Sequence, residues 1–235
     1  MSGWTTRFAL TLAVIASFVP DSSAAQAPNA LTDADRKAGW RLLFDGRSTA
    51  GWKTYKQDAL SPGWAVVDGA LTRVGQGGDI VTTERYGSFE LALEWKVAPG
   101  GNSGVFYRGV ESPGPIYHTA PEMQVLDDER HADGRSALTS AGSNYGLYPA
   151  PRGIVKPAGE WNAARILVDG NRVEHWLNAV KVVEYELGSA EWLDRVKNSK
   201  FNEWPEYGKA AQGHIGLQDH GDWVAFRNIR IRVIP

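Results

Sequence analysis

Residues 121–131, PEMQVLDDERH, bring acids, an amide and an imidazole together. Strand alternation puts Glu122 and Gln124 on one face, with Met123 and Val125 on the other. Asp127, Asp128, Glu129 and His131 follow at once. Regular pleating leaves Asp127 on the core side, and a bulge at Val125–Leu126 is expected to bring it round to Glu122 and Gln124. Carboxyls beside an imidazole are suited to general acid–base work. Glu122, Asp127, His131 or His220 could also hold a divalent metal. The plain alternative is a polar edge strand with no site.

Two further groups carry candidate ligand contacts. In GGNSGVFYRG (100–109) small residues flank Asn102 and allow close backbone approach, while Tyr107 and Arg108 offer a stacking ring and a fork of donors. In GHIGLQDHG (213–221) alternation puts Gln218 and His220 on one face. Taken singly, His220 would be a structural histidine, but a Gln and a His side by side in a Gly-bounded strand read as ligand contacts. His175 alternates with Val173 and Leu177 and reads as buried, whereas His214 fits either role. There is no H-E-x-x-H, phosphate loop or G-x-S-x-G elbow, and with no Cys there is no thiol nucleophile.

The elements that must position these groups are short strands. The chain has 235 residues, with ten Trp, eight Tyr and 26 Gly and few long helical patterns, which favours one β-rich domain. FELALEWKV (89–97) alternates most clearly, and Asp-Gly in VVDGAL and VDGNRV marks tight hairpins. VAFRNIRIRVI changes phase, from Val224 and Phe226 to Ile229, Ile231 and Val233, which calls for a bulge near Asn228. Thr32 and Asp35 form a capping box for a short helix ending at Gly39. A second helix is expected over 189–201, with Trp192, Val196 and Ser199 or Lys200 on its inner stripe. The loops at 109–120 and 128–160 are long and aromatic, a mark of function. Together these predict an all-β, two-sheet antiparallel sandwich spanning 32–235.

A net charge of -2 gives no basic field for a nucleic-acid backbone. Arg7, a short apolar run, Pro20 and SSAA read as a signal peptide over 1–25, followed by a linker over 26–31. That run is too short to span a bilayer, so an exported, soluble protein (periplasmic or secreted) without disulfides is expected.

The E-x-Q-x-x-D spacing of Glu122, Gln124 and Asp127 is similar to the E-x-D-x-x-E strand of laminarinase-like retaining β-glucanases. Gln replaces the middle acid, so the two carboxyls about 5–5.5 Å apart that a retaining glycosidase needs are not supplied. Over nearly the whole mature chain the sequence resembles the 3-keto-disaccharide hydrolase family of exported bacterial domains. The resemblance rests on FDGRSTAGW, WAVVDGAL, GGDIVTTERYGSFEL, GGNSGVFYR, PEMQVLDD, GLYPAP, GEWN and IGLQDHG with VAFRNIRI. In WLNAV, Ala179 stands where the family has glycine.

The resemblance implies a concanavalin A-like jelly roll and a glycoside oxidised to a ketone at C3. A C3 ketone acidifies the C2 proton, so a base, an acid and an enolate stabiliser suffice for elimination followed by hydration. In that chemistry His131 or Asp127 would be the base and Glu122 the acid or a metal ligand. Gln124, Arg108 and Gln218 would hold sugar hydroxyls and the C3 oxygen, His220 would assist, and Tyr107 or Tyr145 would stack on the ring. The runner-up is a lectin-like carbohydrate-binding domain without turnover.

Overall fold

The computed structural model describes Met1 and residues 27–235. The expected signal peptide therefore lies, apart from Met1, outside the described residues. The first strands are β1 (Trp40–Leu42), β2 (Trp52–Thr54), β3 (Trp64–Val67), β4 (Ala70–Arg73) and β5 (Ile80–Thr82). Next come β6 (Phe89–Val97), β7 (Asn102–Gly109), β8 (Glu122–Leu126) and β9 (Asn162–Asp169). The last are β10 (Arg172–Leu177), β11 (Val180–Glu186), β12 (His214–Leu217) and β13 (Val224–Val233), and two α-helices complete the set, α1 (Asp33–Lys37) and α2 (Ala190–Lys197).

The strands form two antiparallel sheets. The larger runs β11-β10-β9-β6-β13-β4-β3 with β1 paired to β13, and the smaller runs β2-β5-β12-β7-β8. Between them lie Phe89, Leu91, Leu93, Trp95 and Val97 of β6 against Val105 and Tyr107 of β7 and Met123 and Val125 of β8, all buried. Burying such side chains contributes about 1.5–3 kcal/mol each. This is the sandwich that the period-two pattern predicts.

Local chemistry sets the turns. Asp68 (φ 50°) and Gly69 (φ 73°) make the left-handed pair that joins β3 to β4. Asn178 and Ala179 do the same between β10 and β11, with Ala179 at φ 68°, where glycine would be unstrained. Within β13 the register to β6 slips between Arg227 and Arg230, and Asn228 sits at φ 54°, so the phase change is a bulge. The segment read as a linker is pinned to that bulge. Asn29 N donates to Asn228 Oδ1 (2.5 Å), and Asn228 N donates to Asn29 Oδ1 (2.8 Å). Thr32 and Asp35 form their reciprocal capping box.

The helix expected over 189–201 is two pieces. Ser189 caps α2 by accepting from Trp192 N (3.1 Å), and the helix stops at Lys197. Ser199 then turns extended and accepts from Phe201 N (3.1 Å), starting a separate 3-10 turn over Lys200–Glu203. A polar side chain that competes for backbone donors ends one helix and caps the next. No helix among the described residues is long and apolar enough to cross a membrane.

Candidate active site

A cavity of about 360 Å³ lies on the face of the smaller sheet turned away from the inter-sheet core. Its floor follows from strand register. On β8, Glu122 stands opposite Phe106 of β7 and Gln124 opposite Gly104, with no bulge. A Cβ at Gly104 would sit 2.0 Å from Glu122 Oε1, so the carboxyl of Glu122 lies over β7 through the space this glycine leaves. Beyond Leu217 the chain stays beside β7. Gln218 N donates to the Gly104 carbonyl (3.0 Å), and Ser103 Oγ donates to the Gln218 carbonyl (2.8 Å).

The loop at 128–160 closes one side. Its residues 142–145 run along the outer edge of β8, where Gly142 N donates to the Gln124 carbonyl (2.9 Å) and Tyr145 N to the Glu122 carbonyl (3.1 Å). This covers an edge that would otherwise present bare backbone groups, and it delivers Tyr145 to the cavity. Six sequence candidates line the hollow: Asn102, Glu122, Gln124, Tyr145, Gln218 and His220. Tyr117, Lys200, Phe201 and Trp204 supply the opposite wall.

Burial pushes the Glu122 carboxyl up to about 8; the charge of Lys200 opposes this, and Asp79 and Asp133 add to it. Glu122 is therefore protonated at neutral pH. In the orientation that satisfies its surroundings, the Gln124 amide donates to Glu122 Oε1 (3.3 Å) and to the Ser103 carbonyl (3.1 Å). Gln218 Oε1 is buried without a hydrogen-bond partner among the described residues. The Tyr145 hydroxyl donates to Asp133 Oδ2 (3.2 Å), and burial with the charges of Asp133 and Glu122 pushes it up to about 12. The site thus holds a neutral acid, three amides and a histidine beside a wall of rings.

Four candidates lie elsewhere. Tyr107 shares parity with Val105 and points into the core, where its hydroxyl meets His175 Nε2 (2.9 Å) and Tyr185. His175 donates from Nδ1 to the Gly142 carbonyl (3.1 Å), and burial pushes it down to about 4, so this histidine is a neutral core residue. Arg108 sits at φ 52° and donates to the carbonyls of Gly87 (2.9 Å) and Gly170 (2.6 Å), tying loops together away from the cavity.

Asp127 is not brought round by a bulge. It accepts from Gly100 N (2.7 Å), Glu129 N (3.2 Å) and Arg130 Nη1 (3.3 Å), because the chain turns here and leaves backbone donors to satisfy. Burial alone would raise its carboxyl, but the Gly100 and Arg130 hydrogen bonds outweigh that and hold it low. His131 accepts from Asp133 N at Nδ1 (3.1 Å), and its ring stands edge-on to His220, centroids 6.2 Å apart.

Of the four side chains considered for a metal, Glu122 and His220 face the cavity. No group of three His, Cys, Asp or Glu able to hold an ion converges among the described residues. The missed wall is held by ring contacts: His118 stacks on Trp204 (4.2 Å), and Tyr117 meets Trp204 edge-on (5.3 Å). No motif marks these residues. The signal available was the Ser199 restart, which swings Lys200 off the helix stripe and into the site.

Known proteins resemble this chain in sequence and in fold. A family model described as a 3-keto-alpha-glucoside-1,2-lyase-like domain matches residues 39–232. A 3-keto-disaccharide hydrolase of Bacteroides thetaiotaomicron is 38% identical over 234 residues, covering 86% of this chain and 80% of that protein. A crystal structure of a candidate glycosyl hydrolase from Parabacteroides distasonis matches with a TM-score of 0.84 at 33% identity, covering 89% of this chain and 100% of that one. A second from the same species matches with a TM-score of 0.65 at 29% identity, over 83% of this chain and 99% of that one. By the extent of the family match and the identity to its relative, the chain belongs to the 3-keto-alpha-glucoside-1,2-lyase-like family.

Proposed function

We propose that the protein cleaves the glycosidic bond of 3-keto-glycosides, 3-keto-disaccharides among them, by elimination followed by hydration. The observation that carries this reading is Glu122, a carboxyl held neutral in a cavity whose other lining groups are amides, rings, a lysine and a histidine. A lone protonated carboxyl suits a general acid and does not suit the paired carboxylates of a retaining glycosidase. The name of the Bacteroides relative, a 3-keto-disaccharide hydrolase, points to the same substrate class.

In the proposed sequence His220, with His131 edge-on beside it, removes the C2 proton. The electron pair becomes the C2–C3 double bond of an enolate. When the C3 ketone reforms, the C2–C3 pair shifts to make a C1–C2 double bond, the C1–O bond breaks and the leaving oxygen takes the proton of Glu122. Water then adds across that double bond, its hydroxyl going to C1 and its proton to Glu122, while His220 returns a proton to C2, giving net hydrolysis. Gln218 Oε1, which lacks a partner among the described residues, suits a sugar hydroxyl. Asn102 and Gln124 hold further hydroxyls, and Tyr145 offers a stacking ring. Export, on the strength of residues 1–25, places this chemistry outside the cytoplasm.

Incubation with a chromogenic 3-keto-glucoside and with its parent glucoside tests the reading. Release from the ketone alone is the expected result. Equal release from the unoxidised sugar would make the protein an ordinary glycosidase, and tight binding without release would make it a lectin.

A further inference from the structure

We infer that Lys200 is a catalytic residue whose ammonium stabilises the negative charge that develops on the C3 oxygen of the sugar. This inference rests on the proposed elimination. An enolate places most of its charge on one oxygen, and a cation held beside that oxygen stabilises it. Arg108, the cation in the stretch that supplies Asn102, is spent on backbone carbonyls. The described residues that line the cavity include one lysine, Lys200, and no arginine.

The position of Lys200 suits the task. Its Nζ lies 4.5 Å from the ring centre of Tyr145, 5.4 Å from that of Phe201 and 6.0 Å from that of Tyr117. Ring faces orient an ammonium without cancelling its charge, as a carboxylate would. The field of Lys200 reaches Glu122, so both groups act on the same space. Glu122 is neutral there at pH 7, which leaves the lysine charge available to substrate. The 3-10 turn at Lys200–Glu203 brings this cation in from the wall opposite the sheet. Base and acid on the sheet and cation on the wall would then meet different atoms of one ring: C2, the C1 oxygen and the C3 oxygen.

The test follows deuterium entering C2 of a methyl 3-keto-glucoside in D2O by proton NMR, above the buffer rate. A poor leaving group lets enolate formation be read apart from bond cleavage. With the parent protein, enzyme-dependent exchange is expected. Lys200→Met is expected to slow exchange and kcat by about 10²–10³-fold, with a much smaller change in KM and an unchanged melting temperature. Lys200→Arg, which keeps the charge, is expected to restore part of the rate. Exchange by Lys200→Met at the parental rate, or a rise in KM with kcat intact, would overturn the role of Lys200 and leave the elimination standing. A parent protein that releases aglycone from an activated 3-keto-glucoside in D2O and leaves the C2 hydrogen of the sugar product unexchanged would overturn both.

Discussion

On the outer face of the larger sheet Glu90 sits between Arg165 (2.6 Å) and Arg232, and Glu94 meets Arg227 (2.7 Å). On the outer face of the smaller sheet Glu122 is equally buried but meets an amide and stays protonated. The larger sheet also carries the bigger hollow, about 560 Å³ above Ala92, Ala163 and Ala164. Its charged lining is already spoken for, since Arg165 and Glu94 have these partners and Arg230 pairs with Asp35 (3.0 Å). Small side chains make that space, and mutual neutralisation leaves it chemically quiet. The smaller cavity keeps an acid, a cation and a buried amide oxygen uncancelled among the described residues. On the proposed function, unsatisfied polarity and not size marks the working cavity.

The largest expected effect separates the two carboxyls by activity. Glu122→Gln should lower kcat on a 3-keto-glucoside by about 10²–10⁴-fold, the range for loss of a general acid. Glu90→Gln should stay within about twofold of the parent, as a group remote from the site. In the parent, kcat/KM should fall above pH 8 as Glu122 ionises, and that alkaline limb should be absent from the residual activity of Glu122→Gln. A pH profile of the three proteins checks this, and equal losses in both variants would break the contrast.

Gly104→Ala should come next. The new Cβ meets Glu122 Oε1 at 2.0 Å, so the carboxyl must move off β7. Steady-state rates should fall by about tenfold or more, since misplacement by an ångström can cost 10². Parental kinetics would show that Glu122 need not lie over Gly104.

Thermal melts across pH sharpen the contrast further, with opposite signs. The folded pKa of Glu122 is raised, so its neutral form is retained while the unfolded carboxyl ionises, and this costs stability progressively from pH 4.5 to about 8. Glu122→Gln should thus raise Tm at pH 8, on the order of 5 °C, with the gain vanishing below pH 4.5. Arg165 and Arg232 outweigh burial and hold Glu90 low, so its contribution is present above its unfolded pKa and lost as pH falls through the folded one. Glu90→Gln should lower Tm at neutral pH, by roughly 1–2 kcal/mol of stability, and converge with the parent in acid. The smallest effect lies in the turn between β10 and β11. Ala179→Gly relieves a left-handed alanine at φ 68° and should add about 1 kcal/mol without changing the rate.

Much of the fold was legible because its signals are local. FELALEWKV is β6 residue for residue, and Asp68-Gly69 and the phase change at Asn228 marked their turn and bulge. The same parity rule put Glu122 with Gln124 and Gln218 with His220, and all four line one cavity. It also separated Tyr107 from Asn102, since odd and even positions of β7 face opposite ways, yet proximity in sequence suggested a shared role. Asp127 was beyond reach of pattern, because its donors come from two turns, Gly100 before β7 and Glu129 and Arg130 after β8, whose geometry no alternation describes. Lys200 was hidden by a helix that ends earlier than its stripe suggests.

The amino-acid sequence by itself determined the sandwich, the family and the faces of the strands, since pleat period, turn residues and caps act over a few positions. Only the tertiary structure decided which polar groups remain uncancelled. Whether a carboxyl meets an arginine, a backbone amide or an open cavity depends on strands and loops remote in the chain, and ionisation follows from that company.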